Sequence, residues 1–430
     1  MKTDFEQLNE NFVRWLKAEG STFSPKIAFK DYSNEGAGRG VYALEDIKDT
    51  EVLFTLPRTV LLSVKNSELS QKLSLDELDG WNPLILCMIY ESTKEDSKWS
   101  PYFEILPKEF HTPMFWSEEE QKELTGTGVI DKIGKEQAEQ NFRETILPLI
   151  EEHEELFPKG VDYLSLFHRM GSLIMAYSFI DEAPSEDSDS DADSDDEVEG
   201  EVTMVPMADM LNHKTGFNNA RLFYEEDRLG MCAIKNIQAG EQIFNTYGDL
   251  CSADLLRKYG FVDEENPNDI VEINGESLVN AYSTEEEDKA DRVEFLLDNG
   301  ILDDCFVIEV DAEIPPEMIV TAKVLSMSPA DFAKLQKTEK FPKPKLTPEI
   351  SQVFLELLRA RASQYLTTYE EDLERYTQAK QNPDSLSRNG RNALVVRVGE
   401  RTILKTAIER LEKSLREEAP SSPAKRQKTH

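Results

Sequence analysis

Two stretches 190 positions apart repeat one pattern. ALEDIKDTEVLF (43–54) and AIKNIQAGEQIF (233–244) carry Ala, Ile, Glu and Phe at equal offsets. Each reads as a strand, a polar turn and a second strand. Much of the chain between them has a helical pattern. The fold must therefore build similar hairpins from distant halves of the chain, with helical material inserted between them. This points to an α+β class: a β-rich region of short strands, interrupted by helices.

The rest of the patterning agrees. Thr3 and Glu6 form a possible capping box, and Phe5, Leu8, Phe12, Trp15 and Leu16 then share one helical face. GAGRGVYALEDIKDTEVLFTLP (36–57) predicts two strands around a polar turn. WNPLILCMIYE (81–91) and SLFHRMGSLIMAYSFI (165–180) predict buried helices. Between them lie KWSPYFEILP (98–107) and a charged, helical stretch to about residue 156. Strands resume at 202–206 and run to residue 247. Beyond about residue 265 the pattern is helical. Phe354, Leu358, Ala362, Tyr365 and Tyr369 form one stripe, and Leu404, Ile408, Leu411 and Leu415 another; both read as core packing.

Charge narrows the choice of partners. The net charge is −36, and residues 181–201 alone hold 12 acids and no base; without them the balance is still −24. That run cannot bury enough apolar surface to order itself. Its SxD and SxE steps resemble acidophilic kinase sites, with solvated low complexity as the plainer reading. An acidic chain disfavours direct nucleic-acid binding and suits a basic partner. No apolar run is long enough to span a bilayer. The start, MKTDFEQLNENFVRWL, lacks a signal-peptide core, so an intracellular protein is expected. The tail EEAPSSPAKRQKTH is basic at Lys425, Arg426 and Lys428, which points to nuclear import, with a cytoplasmic pool beside it.

Few residues offer chemistry. Cys87, Cys232, Cys251 and Cys305 are scattered without a CxxC pair, so buried thiols are expected rather than a zinc site, and no metal. Gly36-Ala37-Gly38-Arg39-Gly40 has GxGxG spacing and runs into the strand-like VYAL. A dinucleotide loop would open a helix, so this is a tight turn able to bring backbone close to a ligand. In MADMLNHKTGFNNA (207–220), Asn212-His213 is either a structural pair or presents amide and ring groups to an adenine-like edge. GEQIFNTYGD (240–249) starts as a strand and stops on Tyr247, either a capping aromatic or a hydroxyl held for use. KYGF (258–261) brings Tyr259 and Phe261 close by in sequence. There is no Ser/His/Asp set, Walker loop or HExxH motif. Chemistry that needs positioning more than an acid–base pair fits best, and methyl transfer from a sulfonium to an amine is such a reaction.

Taken in order, GAGRGVYA, NHKTGFNNA and GEQIFNTYGD resemble the motifs of SET-domain protein lysine methyltransferases. KWSPYFEILP, HTPMFW, LIMAYSFI, ADMLNH, IFNTYG and KYGF, with a helical C-terminal third, resemble the Rubisco-methyltransferase-like branch. The resemblance spans about residues 20–415. It implies a SET domain over 1–264 with a helical insertion at about 65–200, an all-helical substrate-docking domain over 265–416, and a disordered basic tail over 417–430.

The resemblance also implies S-adenosylmethionine as co-substrate. Ala37, Gly38, Arg39, Gly40, Tyr177, Asn212, His213 and Tyr259 match its contacts, although many relatives have arginine where this chain has Tyr177. Trp99, Ser178, Ile180 and Asp209 match positions on the substrate-lysine side, and Tyr247 matches the catalytic tyrosine. A basic, non-histone acceptor is implied, a ribosomal protein of the large subunit, with the enzyme monomeric and bound to neither nucleic acid nor membrane. The rival readings are a non-catalytic SET-like protein that captures a basic partner, and the same fold acting on histidine.

Overall fold

The structure is a computed structural model that describes residues 3–182, 200–282 and 286–418. It divides into two compact units. The first comprises Met1–Phe115, Ile133–Leu250 and Arg257–Phe261; the second comprises Trp116–Lys132, Cys251–Leu256 and Val262–His430.

The first unit opens with helix α1 (Asp4–Ala18). Thr3 accepts the Glu6 amide at 3.2 Å and Glu6 returns a bond to the Thr3 amide at 2.9 Å, so the capping box forms. Phe12 and Leu16 are fully buried on its inner face. Among the described residues nine short strands follow. They are β1 (Thr22–Phe23), β2 (Ile27–Asp31), β3 (Arg39–Ala43), β4 (Val52–Pro57), β5 (Ser178–Glu182), β6 (Gly200–Met204), β7 (Ala220–Tyr224), β8 (Arg228–Ala233) and β9 (Gln242–Ile243). They pair antiparallel in three sheets, ordered β1-β4-β8-β7, β2-β3-β9 and β5-β6.

The repeated segments do not form the two separate hairpins expected from sequence. β3 pairs with β9, and β4 pairs with β8, so each segment pairs with the other. The exchange is reciprocal position by position. Ile47 and Ile237 trade amide bonds at 2.8 and 2.9 Å. Ala43 donates to Glu241 at 2.9 Å as Ala233 donates to Glu51 at 3.0 Å, and Thr50 donates to Ala233 as Gly240 donates to Ala43. The side chains obey the same symmetry: Asn236 accepts the Asp49 amide and Asp46 accepts the Ala239 amide, each at 3.0 Å. Thr50 and Gly240 both take positive φ, 66° and 89°, to turn the chain there. Each polar turn is thus spent capping the other segment, which holds the two arms of each apart.

Between the halves lie α2 (Asn82–Thr93), α3 (Ser100–Ile105) and α4 (Tyr163–Tyr177). α2 is apolar all round, and Leu84 through Glu91 are buried, as its composition requires of a helix inside the core. The helix expected over 165–180 ends at Tyr177. Ser178 is extended (φ −79°, ψ 160°) and begins β5, whose pairing with β6 takes over the backbone bonds. Residues 183–199 of the acidic run lie outside the described residues. The strand expected to reach Tyr247 stops at Ile243, and most of 205–219 is irregular or a single 3-10 turn.

The second unit is largely helical around its own core of Val271, Ile308, Phe354, Leu358 and Leu404 among others. It is not all helix: β10 (Ile270–Asn274) and β11 (Cys305–Glu309) form an antiparallel ribbon. The helix Ser252–Tyr259 is α5. α6 (Glu286–Asp298) connects the two ribbon strands, and α7 (Pro348–Ala362) and α8 (Tyr369–Gln381) pack on the long α9 (Arg388–Glu418). The stripe from Phe354 to Tyr369 crosses a break. α7 ends at Ala362, Tyr365 is buried in the connection with its hydroxyl on Glu400 (2.6 Å), and Tyr369 starts α8. Deep in this unit Asp372, fully buried, accepts from Arg397 (2.9 Å) and Arg401 (2.7 Å). Burial alone would raise its pKa, but the two guanidinium groups hold it below the usual carboxylate value.

Candidate active site

Tyr247 lies in the irregular chain after β9, and both of its polar groups are held. Its backbone N–H donates to His213 Nδ1 at 3.0 Å, and its hydroxyl donates to the Leu211 carbonyl at 3.1 Å. An amide can only donate, so His213 Nδ1 carries a lone pair and the ring proton sits on Nε2, 3.3 Å from the Thr215 hydroxyl. Three rings then stack: His213 on Tyr247 with centroids 5.0 Å apart, and Tyr247 on Tyr259 at 4.6 Å, each pair within 22° of parallel. Phe261 closes on Tyr259 at 6.1 Å. The turn after α5 is tight because Gly260 takes φ 77° and a Cβ there would meet the His111 backbone at 2.8 Å. Burial, then the neighbouring Tyr177, Tyr259 and Asp209, push the Tyr247 pKa well above its usual value. The hydroxyl therefore keeps its proton at neutral pH. It cannot serve as a phenolate base, but its oxygen lone pairs remain free to accept.

A second group lies around Asp209. Met207 takes φ 84°, an unusual conformation for its residue type, at the entrance to the 3-10 turn Ala208–Met210 that buries Asp209. Asp209 Oδ2 accepts from the buried Tyr102 hydroxyl, while Oδ1 has no partner among the described residues. Burial raises its pKa to about 7; the Tyr102 bond, backbone amides and the Arg39 charge oppose that rise. Tyr177, the last residue of α4, is pushed up to about 12 by burial and by the Asp209 charge. The Arg39 side chain turns away from its own loop: Nε donates to Asn9 (2.8 Å), Nη1 donates to the Ile105 carbonyl (2.7 Å), and the group lies 5.0 Å over Phe5.

The glycine loop supplies a third element. Gly36 and Gly38 have φ 85° and 79°, which turn the chain into β3. At Gly40 the requirement is space. A Cβ there would lie 2.6 Å from Asn212 Nδ2 and 2.7 Å from Gln242 Nε2. Both amide nitrogens are buried and have no partner among the described residues. Asn212 is fixed by a parallel bridge to Phe244 and by accepting the Asn245 amide at 3.1 Å. Gly40 is thus closed over by these side chains, and the two unspent donors beside it are chemically suited to a polar ligand such as the nucleoside of S-adenosylmethionine.

Tyr247, His213 and Tyr259 are thus in one stack, Asn212 faces Gly40, and Asp209 shares its surroundings with Arg39 and Tyr177. Ser178 and Ile180 lie on β5, with Ile180 exposed. Ala37 is exposed in the loop, and no described contact joins it to the others. Trp99 is fully buried and its indole N–H is spent on the Val60 carbonyl at 2.9 Å, so its ring is a core group. Sequence reasoning missed Tyr102, Gln242 and the Leu211 carbonyl. Tyr102 and Gln242 sit inside KWSPYFEILP and GEQIFNTYGD, so a signal existed; a backbone carbonyl leaves none. Among the described residues no cluster of His, Cys, Asp or Glu is placed to hold a metal, and no helix is long and apolar enough to cross a membrane.

Residues 38–248 match the SET domain family, and residues 283–404 match the Rubisco LSMT substrate-binding family. The chain is 34% identical over 444 residues to N-lysine methyltransferase setd6 of Danio rerio, covering 94% of this chain and 95% of that one. It is 32% identical over 358 residues to ribosomal lysine N-methyltransferase 4 of Saccharomyces cerevisiae, covering 75% and 72%. A solved structure of the SET domain of LSMT bound to lysine and AdoHcy superposes with a TM-score of 0.75 at 23% identity, over 96% of this chain and 93% of that one.

Proposed function

The chain belongs to the SET-domain N-lysine methyltransferases, and from that premise we propose that Tyr247 is its catalytic tyrosine and that its acceptor is a lysine of a basic ribosomal protein of the large subunit. As a member of this family it is an S-adenosylmethionine-dependent protein-lysine methyltransferase. The co-substrate supplies a methyl group on a positive sulfonium.

The observation that carries the assignment is the double hold on Tyr247, by His213 on its amide and by Leu211 on its hydroxyl proton. With that proton committed, the oxygen points lone pairs at whatever enters beside the stack. Weak CH···O contacts to a methyl bearing positive charge are worth about 0.5–1 kcal/mol each. The unspent Asn212 and Gln242 amides receive the donor, with the Ala37–Gly40 backbone, Tyr177, His213 and Tyr259 around it. Trp99, Ser178, Ile180 and Asp209 form the acceptor side, Trp99 as a packed wall. The arriving ammonium loses its proton as it leaves water beside a positive sulfonium. Its lone pair forms the N–CH3 bond as the C–S pair returns to sulfur. What remains for the protein is orientation.

Tyr247→Phe is expected to bind S-adenosylmethionine as the wild type does while transfer falls about 10- to 100-fold, the loss of two or three such contacts. Unchanged turnover would refute the role of the hydroxyl. The ribosomal acceptor is supported by the name of the yeast relative and by the acidic charge of this chain. It is tested by tritiated-methyl transfer into ribosomal proteins from cells lacking this enzyme; no labelled band there would refute it. A nuclear location is proposed from the basic tail, and deleting residues 420–430 should reduce nuclear accumulation.

A further inference from the structure

The negative charge of this chain has a second centre, larger than the acidic run. Residues 263–317 hold 19 Asp and Glu against only Lys289 and Arg292. Arg292 is buried and paired with Asp288 at 2.9 Å, and Lys289 donates to Asn280 at 3.0 Å. This segment builds the β10–β11 ribbon and α6. Around β11 the acids Asp303, Asp304, Glu309, Asp311, Glu313 and Glu317 are exposed. Among them sit apolar side chains open to solvent: Val307 is 38% exposed and Val310 47%.

The ribbon has one covered edge and one open edge. Glu272 on β10 is registered with Val307 on β11, and the Glu272 carbonyl points away from the ladder to accept Arg361 Nε at 3.1 Å. In an antiparallel pair, opposed residues either exchange both bonds or turn both pairs of groups outward. The Glu272–Val307 pair is therefore of the outward kind. The Val307 N–H and C=O point off the far edge of β11, and neither finds a partner among the described residues. Inward-facing Phe306 and Ile308 anchor the strand in the core. β11 thus offers an edge left unpaired at Val307, with an apolar centre and an acidic surround, while the Glu309 carbonyl beyond it accepts the Ala312 amide at 2.8 Å.

We propose that the free edge of β11 docks a basic, extended segment of the acceptor protein by strand addition, with its Lys and Arg side chains against these carboxylates. Backbone bonds at Val307 would give the register and the acidic surround the selection for positive charge. This rests on the methyltransferase reading for the identity of the partner, and it makes the ribbon a docking element distinct from the lysine that is modified. An edge of this kind left bare invites unwanted pairing; net negative charge guards it against copies of itself while leaving it open to a cation-rich chain.

The test uses the full chain and a fluorescein-labelled peptide alternating arginine and valine, which carries no lysine to methylate. Anisotropy should show binding that weakens as salt rises. Val307→Pro removes only the outward N–H and should weaken binding about tenfold, as should N-methylation of alternate peptide nitrogens against the wild type, a control that needs no folded variant. Glu309→Lys with Asp311→Lys should weaken it further. All three substituted residues should leave S-adenosylmethionine binding and methyl transfer to a short lysine peptide unchanged, while raising KM for a basic protein acceptor. Absence of peptide binding by the wild type would overturn the proposal, as would full binding by Val307→Pro or by the N-methylated peptide. If transfer to the short peptide is absent while ribbon binding stands, the methyltransferase reading fails and the ribbon does not.

Discussion

Gly40→Ala is the sharpest test of the donor cradle. The added methyl would sit 2.6 Å from Asn212 Nδ2, 2.7 Å from Gln242 Nε2 and 2.8 Å from Tyr32 Cδ2, against an ordinary contact of 3.4–4 Å. Three neighbours would each have to yield by close to 1 Å. Tyr32 is buried, Asn212 is fixed by its bridge to Phe244, and the Gln242 amide nitrogen is itself buried. Overpacking of this kind costs about 1–3 kcal/mol, and the displacement it forces falls on the two unspent amides. If the cost is drawn wholly from the binding-competent arrangement, S-adenosylmethionine affinity falls about 5- to 150-fold. Titration calorimetry reads the affinity, and a thermal melt reads any general loss of stability. Gly230 on β8 is the control, since a Cβ there would meet nothing within 4 Å. Binding by Gly40→Ala within about twofold of Gly230→Ala would refute the cradle.

Asp372→Ala leaves the buried Arg401 without its carboxylate, while Arg397 keeps Glu123 at 2.9 Å, so urea unfolding of the second unit should ease by about 3–5 kcal/mol; a loss under about 1 kcal/mol would count against this. Because the native pKa of Asp372 is lowered, the stability it contributes is present above the ordinary value of 3.8 and is lost as pH falls through its native value. Asp209 has the opposite sign. Its native pKa of about 7 lies above 3.8, so the folded chain keeps a proton that the unfolded chain has released, and stability falls as pH rises through that window. Asp209→Asn should flatten this dependence in denaturant melts, and an unchanged slope would refute the buried, partnerless Oδ1.

The parts of the fold that could be read from sequence were those carried by short local signals. The Thr3 capping box, the apolar α2 and the β3 and β4 strands lie where their residues place them. So does the order of the glycine loop, Asn212-His213 and Tyr247. What sequence hid was pairing over distance. Nothing local separates a hairpin that closes on itself from one that opens to exchange arms with a copy 190 residues away. The break after Ala362 was concealed for a related reason: Tyr365 is buried and keeps helical spacing, but its place is set by Glu400 rather than by a continuing helix. Trp99 matched an acceptor-side motif and is packed in the core because its indole N–H found the Val60 carbonyl. At the site, Tyr102 and the Leu211 carbonyl become visible only when Asp209 and Tyr247 are seen in space.

The exchanged segments also bear on how the enzyme is made. β3 and β4 can complete their pairing only when β8 and β9 arrive, and Ile47 must wait for Ile237, 190 residues later. At about 5–20 residues per second that is roughly 10–40 s of synthesis. Throughout that interval the apolar strands bearing Val41, Leu53 and Leu56 have β2 and β1 on one side but lack β9 and β8 on the other. The glycine loop and Tyr247 come together in the same closing event, and Tyr259 must follow to complete the ring stack, so no nascent chain shorter than about 259 residues can assemble it. Until that event the chain carries unpaired strand edges, the feature that makes folding intermediates prone to aggregate.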